Sequence, residues 1–171
     1  MNDKKRKGTD RIVRIVVISD THGNISNFER AIFQQPKADL FIHLGDHESD
    51  VDDIRLYLRG RNILSVSGNC DFGSQLPDVG ETVVSGKRIF YTHGHRYHVK
   101  FGIDGVINEA RRREADIVLF GHTHIPVATY EKGLYIMNPG SLGHPRGGSP
   151  TYGIIDITNA GVVLNIVEVE S

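Results

Sequence analysis

The sequence predicts an α/β layered fold assembled from two β-sheets, and three of its features carry that expectation. A β-α-β-α-β rhythm runs over residues 12–66, the pattern that sets parallel strands in one sheet with helices packed on it. From residue 80 onward the rhythm changes to strand pairs joined by short turns, interrupted by one helix. Throughout, apolar strands run straight into short polar segments beside a glycine, as at a ligand crevice formed by strand carboxyl ends.

Residues 12–18 (IVRIVVI) are short and rich in β-branched side chains, so they read as a buried strand. In 26–35 (SNFERAIFQQ) the spacing puts Phe28, Ile32 and Phe33 on one helical face, and Pro36 stops the helix. A second strand is expected over 39–43. A second helix follows over 51–59, aligning Val51, Ile54 and Leu58, and then a third strand over 63–66. Residues 80–92 read as two strands around a tight turn at Ser85-Gly86. A helix over about 101–114 turns Ile103, Val106, Ile107 and Ala110 inward and Arg111, Arg112 and Arg113 to solvent, and 116–120 (DIVLF) is another buried strand. The segments 126–131, 134–138, 151–157 and 162–168 read as strands of a mostly antiparallel sheet with Gly, Pro and Asn at the turns.

The chain of 171 residues fits a single domain spanning 11–171, with 39% hydrophobic and 24% charged residues, close to soluble globular averages. A net charge of −1 calls for neither a nucleic-acid nor a membrane partner. The single cysteine, Cys70, allows no internal disulfide and suits a reducing cytoplasm. Lys4-Lys5-Arg6-Lys7 reads as part of a flexible basic tail over residues 1–10. The apolar run behind it is broken by Arg14 and is too short for a secretory signal core or a membrane span.

The chemistry lies in five strand ends. The first strand ends in Asp20-Thr21-His22-Gly23-Asn24, the second in Gly45-Asp46, and the third in Gly68-Asn69-Cys70-Asp71. Later strands end in His93-Gly94-His95 and Gly121-His122-Thr123-His124. Taken singly, each has a bland reading as a turn or cap. Two histidines two residues apart after a buried strand make the last the strongest metal-binding signal. Five such segments at successive strand ends point to one shared centre.

This series resembles the calcineurin-like metallophosphoesterase superfamily, whose pattern of D-x-H, GD, GN-H/C-D, a His before Gly, and GHxH is filled here in order. The GNCD and THGH segments, the later Asn138-Pro139-Gly140-Ser141 and the small size resemble its compact YfcE-like phosphodiesterase branch. The resemblance implies a four-layer α-β-β-α sandwich of two mixed sheets with a metal site at the strand C-terminal ends. It implies that Asp20, His22 and His124 bind one divalent metal ion, that Asn69, His93 and His122 bind a second, and that Asp46 bridges them. Such mixed ligands suit Mn²⁺ first, with Fe, Zn, Ni or Mg as the other choices. The implied activity is hydrolysis of a small phosphodiester or nucleotide-like substrate by a bridging hydroxide. Self-association stays open. Two alternatives stand beside it: a phosphomonoesterase, and a non-catalytic scaffold like the retromer trafficking subunit, which resembles this branch with an altered metal site.

In many members the residue after the family Asn is a His that protonates the leaving group, with the next Asp orienting it. Here those positions are Cys70 and Asp71, and a thiol is the poorer oxygen-protonating acid. His95 is the nearest substitute in sequence. The bland reading of Cys70 is a small buried side chain. Asn24 is assigned to phosphate contact or to a helix cap. Phe72, Tyr97 and His98 are expected in loops beside the site.

Overall fold

A computed structural model describes residues 11–170, so the expected basic tail at 1–10 lies outside the described residues. The first half of the chain follows the expected alternation. Strand β1 (Val13–Ile18) leads to helix α1 (Ile25–Gln34), β2 (Leu40–His43), two short helices α2 (Ser49–Asp53) and α3 (Arg55–Leu58), and β3 (Asn62–Ser65). Strands β1, β2 and β3 pair in parallel. The hairpin β4 (Val79–Val84) and β5 (Lys87–Thr92) turns through Ser85 and Gly86, with φ of 47° and 77°. Two successive positive φ angles match the turn twist that suits an antiparallel pair.

A 3₁₀ turn at His95–Tyr97 precedes α4 (Asp104–Arg112), and then come β6 (Ile117–Leu119), β7 (Val127–Glu131), β8 (Leu134–Asn138), β9 (Thr151–Thr158) and β10 (Gly161–Glu168). The strand orders are β10-β9-β1-β2-β3 and β4-β5-β6-β8-β7. Both sheets are mixed. In the second, β5, β6 and β8 run parallel.

Period-2 alternation explains the four layers. Ile15, Val17, Ile42, Ile89, Tyr91, Ile117, Leu119 and Met137 turn into the space between the sheets. Val16, Ile18 and Phe41 turn outward against Phe28, Ala31, Ile32, Val51, Ile54 and Leu58 of the first helices. Phe90, Val118 and Ile136 turn outward against Val106 and Ala110 of α4. Strands buried on both faces read as continuous apolar runs, and each such side chain taken from water contributes about 1.5–3 kcal/mol. The architecture is the α-β-β-α sandwich.

Four expectations need correction. The last four strands do not form one sheet: β7 and β8 close the edge of the second sheet, whereas β9 and β10 extend the first, with β9 antiparallel to β1. The burial of β9 along most of its length is the reason, because such a strand needs an interior place. The helix over 51–59 is broken at Ile54, where ψ opens to 0° at a φ of −93° while the side chain stays buried. Phe33 is exposed, since it stands 100° around α1 from Ile32. Arg113 is not a solvated residue of α4, for its guanidinium lies 5.0 Å over the Phe90 ring and pairs with Glu109 and Glu81.

Candidate metal centre

The parallel strands of both sheets deliver their carboxyl ends to one place. From the first sheet come Asp20 and His22 after β1, Asp46 after β2, and Asn69 after β3. From the second come His93 after β5, and His122 and His124 after β6. Their donor atoms form two groups, Asp20, His22, Asp46 and His124, and Asp46, His93 and His122, each with its atoms within 4.8 Å of one another. Asp46 belongs to both. One of its oxygens lies 3.7 Å from His22 Nε2 and the other 3.5 Å from His93 Nε2. Asn69 Oδ1 joins the second group, 3.1 Å from His93 Nε2.

The backbone around these donors is strained. Asp20, His22, Asp46, His122 and His124 all have positive φ, between 46° and 67°, a conformation costing roughly 1–2 kcal/mol for a residue with a Cβ. Neighbours hold them there. The Ser141 hydroxyl and the Gly143 N–H both donate to the Asp20 carbonyl, at 2.8 and 3.0 Å. The Asp71 carboxylate accepts from the backbone N–H groups of Asp46, His47, Glu48 and Gly68 at 2.7–2.9 Å, binding the β3 loop to the β2 loop. Burial raises its pKa, and those four donors outweigh burial and lower it.

Proton positions follow from the partners. His93 Nδ1 lies 2.8 Å from the Leu44 carbonyl, and His124 Nδ1 lies 2.6 Å from the His144 carbonyl. A carbonyl only accepts, so each Nδ1 carries the hydrogen and a neutral ring points an Nε2 lone pair inward. His124 Nε2 then faces Asp20 Oδ1 at 3.0 Å, and His93 Nε2 faces the Asn69 and Asp46 oxygens. Lone pairs so close repel unless a proton or a cation sits between them. Asp20 Oδ1 and His22 Nε2 are both buried, without an aligned hydrogen-bond partner. The residues therefore fit a bound cation. Their electrostatics agree: burial pushes the Asp20 carboxyl up, yet His124, His93 and Ser19 hold it at about 2, while burial and His93 hold His122 at about 4. At neutral pH these are an anionic carboxylate and a neutral imidazole, the forms that bind metals.

The remaining expected residues are arranged as follows. His95 stands beside the second group, its ring 5.4 Å from that of His93 and its Nδ1 buried with no partner. Cys70 is exposed, contrary to the buried reading. The turn that lets its N–H donate to Asp46 Oδ1 at 2.8 Å faces it outward, and its sulfur accepts from the Asn69 amide at 3.3 Å. Partial desolvation of the sulfur and the nearby Asp46 carboxylate raise its pKa to about 11. Asn24 caps α1, accepting from the Asn27 N–H at 3.1 Å. Tyr97 packs edge-on against Phe90, whereas Phe72 and His98 are exposed.

Sequence reasoning noted Asn138-Pro139-Gly140-Ser141 but did not place it at the site, where residues 138–144 after β8 form a sixth strand end. Asn138 donates to the Gly121 carbonyl at 3.0 Å and to Thr123 at 2.9 Å, and the His144 ring stacks 4.6 Å from that of His22. The Asn138-Pro139-Gly140-Ser141 segment was a visible signal, but its bonds to backbone carbonyls had none.

The calcineurin-like phosphoesterase superfamily domain matches residues 13–160. A probable metallophosphoesterase of Bacillus subtilis, YsnB, is 31% identical over 149 residues, covering 86% of each chain. The phosphodiesterase YfcE of Escherichia coli is 28% identical over 172 residues, covering 85% of this chain and 88% of its own. A solved Streptococcus pneumoniae protein described as a predicted phosphoesterase superposes with a TM-score of 0.79 at 30% identity, covering 92% of this chain and 90% of that one. Fold, donor set and relatives agree, and the chain belongs to the calcineurin-like phosphoesterase superfamily as a metal-dependent phosphoesterase.

Proposed function

We propose that this protein hydrolyses small phosphodiesters with two divalent metal ions. Asp20, His22 and His124 hold one, Asn69, His93 and His122 hold the other, and the Asp46 carboxylate serves both. The observation carrying this reading is the pair of donor groups that share Asp46, with imidazole lone pairs directed at carboxylate and amide oxygens. Carboxylate, amide and imidazole together favour Mn²⁺ over softer alternatives. When bound, such ions supply an activated water and positive charge for the phosphoryl oxygens.

The chain's own groups do the rest. Asp71, acting through four backbone N–H groups, fixes where Asp46 stands. His95, with its buried, unpartnered Nδ1 beside the second group, faces the ester's departing oxygen; burial lowers its pKa, so a proton taken up from water is readily passed to that oxygen. Cys70 is a bystander in that step. Asn24 keeps its cap on α1, leaving phosphate contact to its neighbours. Each donor group draws residues from both sheets, so residues 11–171 work as one domain. The lone cysteine fits action in the cytoplasm, and no helix among the described residues is long and apolar enough to cross a membrane.

The test is Mn²⁺-dependent turnover of bis-p-nitrophenyl phosphate against p-nitrophenyl phosphate. The diester is expected to be preferred. Preference for the monoester would replace phosphodiesterase by phosphomonoesterase, and no turnover of either would favour the scaffold.

A further inference from the structure

One buried histidine lies outside both donor groups. His43, the last residue of β2, has no exposed surface and stacks on Phe28, ring centroids 5.8 Å apart. Its Nδ1 lies 3.3 Å from the Gly45 backbone N–H, and its Nε2 lies 3.3 Å from Thr21 Oγ1. Thr21 Oγ1 in turn lies 3.3 Å from the Asp46 carbonyl. An N–H can only donate, so Nδ1 must present its lone pair to Gly45. In a neutral ring the hydrogen is then on Nε2, which donates to the Thr21 oxygen. That leaves the Thr21 hydroxyl hydrogen for the Asp46 carbonyl. Every donor and acceptor in the chain has one role. Burial lowers the His43 pKa to about 4, which keeps the ring neutral at physiological pH.

We infer that His43 is a positioning residue, locked as the Nε2–H tautomer, that ties the Asp20–His22 loop to the Gly45–Asp46 loop. The inference rests on the metal-centre reading. Thr21 sits between two donors of the first group, and Gly45 precedes the donor shared by both. Asp20, His22, Gly45 and Asp46 all have positive φ, so each loop needs bonds from outside itself to persist. The relay Gly45 N–H to His43, His43 to Thr21, and Thr21 to the Asp46 carbonyl supplies them from a side chain that never touches the ions.

The test uses the full chain. A long-range proton–nitrogen spectrum of the wild type is expected to show His43 protonated at Nε2 and bare at Nδ1. His43→Phe keeps the ring on Phe28 and removes both bonds, and Thr21→Val removes the hydroxyl. Each variant is expected to lose about 10–100-fold in Mn²⁺ affinity, the usual consequence of losing an outer-layer partner, read by competition with a chelating dye. The double variant should lose no more than the worse single one, because both break the same relay. An Nδ1–H tautomer, additive losses, or wild-type affinity in a folded His43→Phe would each overturn the proposal. Should His43→Phe not fold, the wild-type spectrum and Thr21→Val decide. A wild type that binds no Mn²⁺ would refute the metal centre instead, with the spectrum alone then deciding the relay.

Discussion

Asp46 is the side chain both donor groups need, one oxygen toward His22 and the other toward His93. Asp46→Asn keeps the shape and an acceptor for the Cys70 N–H, but removes the negative charge between the two groups. The expected outcome is a loss of about 100-fold or more in kcat/KM, beyond the roughly 10–100-fold typical of outer-layer changes, with metal content falling in elemental analysis. Near-wild-type turnover would end the bridging assignment. Cys70 makes the opposite case. Its side chain is exposed, accepts from its neighbour's amide and lies outside both donor groups, so Cys70→His should leave metal content unchanged and raise turnover of diesters with poor leaving groups. Loss of a metal would instead make the sulfur a ligand. The gathering of these side chains was legible because oxygen and imidazole groups beside glycine at strand ends are visible in a linear chain. His43, Ser141 and the His144 carbonyl were not, because their work is done on backbone atoms that only tertiary structure brings within reach.

Elements position these donors through close backbone contact, most tightly where the β2 and β3 loops meet. Gly45 has φ +94°, and a Cβ there would lie 2.5 Å from the Gly68 nitrogen. Gly73 in the same loop region has φ +76° with nothing within 4 Å. Both substitutions to alanine carry the left-handed penalty of roughly 1–2 kcal/mol, and only Gly45→Ala adds overpacking of about 1–3 kcal/mol. Denaturant unfolding should therefore rank Gly45→Ala well below Gly73→Ala, and equal losses would refute the close approach. On α4, hydrogen bonds from Arg112 and then Arg113 hold Glu109 at about 2. A depressed carboxyl stabilises the fold above its unfolded pKa of about 4.5, and that contribution disappears as pH falls toward 2. Glu109→Gln should be less stable than wild type at neutral pH, by at most about 1 kcal/mol for ion pairs at the protein surface, and the gap should close below pH 3 in pH-dependent melts. A gap that persists in acid would assign the effect to packing. The strands, α1 and the Ser85-Gly86 turn were readable from apolar spacing and turn chemistry. The division of the last two hairpins between sheets was not, since strand spacing does not encode which sheet edge a hairpin joins.

At the scale of the whole molecule, the centre lies across the boundary between the two sheets. Asp20, His22, Asp46 and Asn69 follow strands of the first, and His93, His122 and His124 follow strands of the second. Elsewhere the sheets are joined by an apolar layer containing Ile15, Val17, Ile117, Leu119 and Met137, which resists separation but is non-directional. Bound cations would add a directional joint at the open end of that layer, where the inward-facing donors otherwise repel. Ligands that bind only the folded state stabilise it by an amount that grows with the logarithm of their excess over Kd, about 2.7 kcal/mol per site at a hundredfold excess. For a chain of this length that corresponds to a Tm rise of roughly 5–10 °C per site. Chelation should lower the Tm of metal-loaded protein by at least that amount, and Mn²⁺ should restore it. Asp46→Asn should show little of the shift, because its loss weakens both groups together. A Tm indifferent to chelator and metal would mean that the donors, though gathered, do not hold the sheets through a cation.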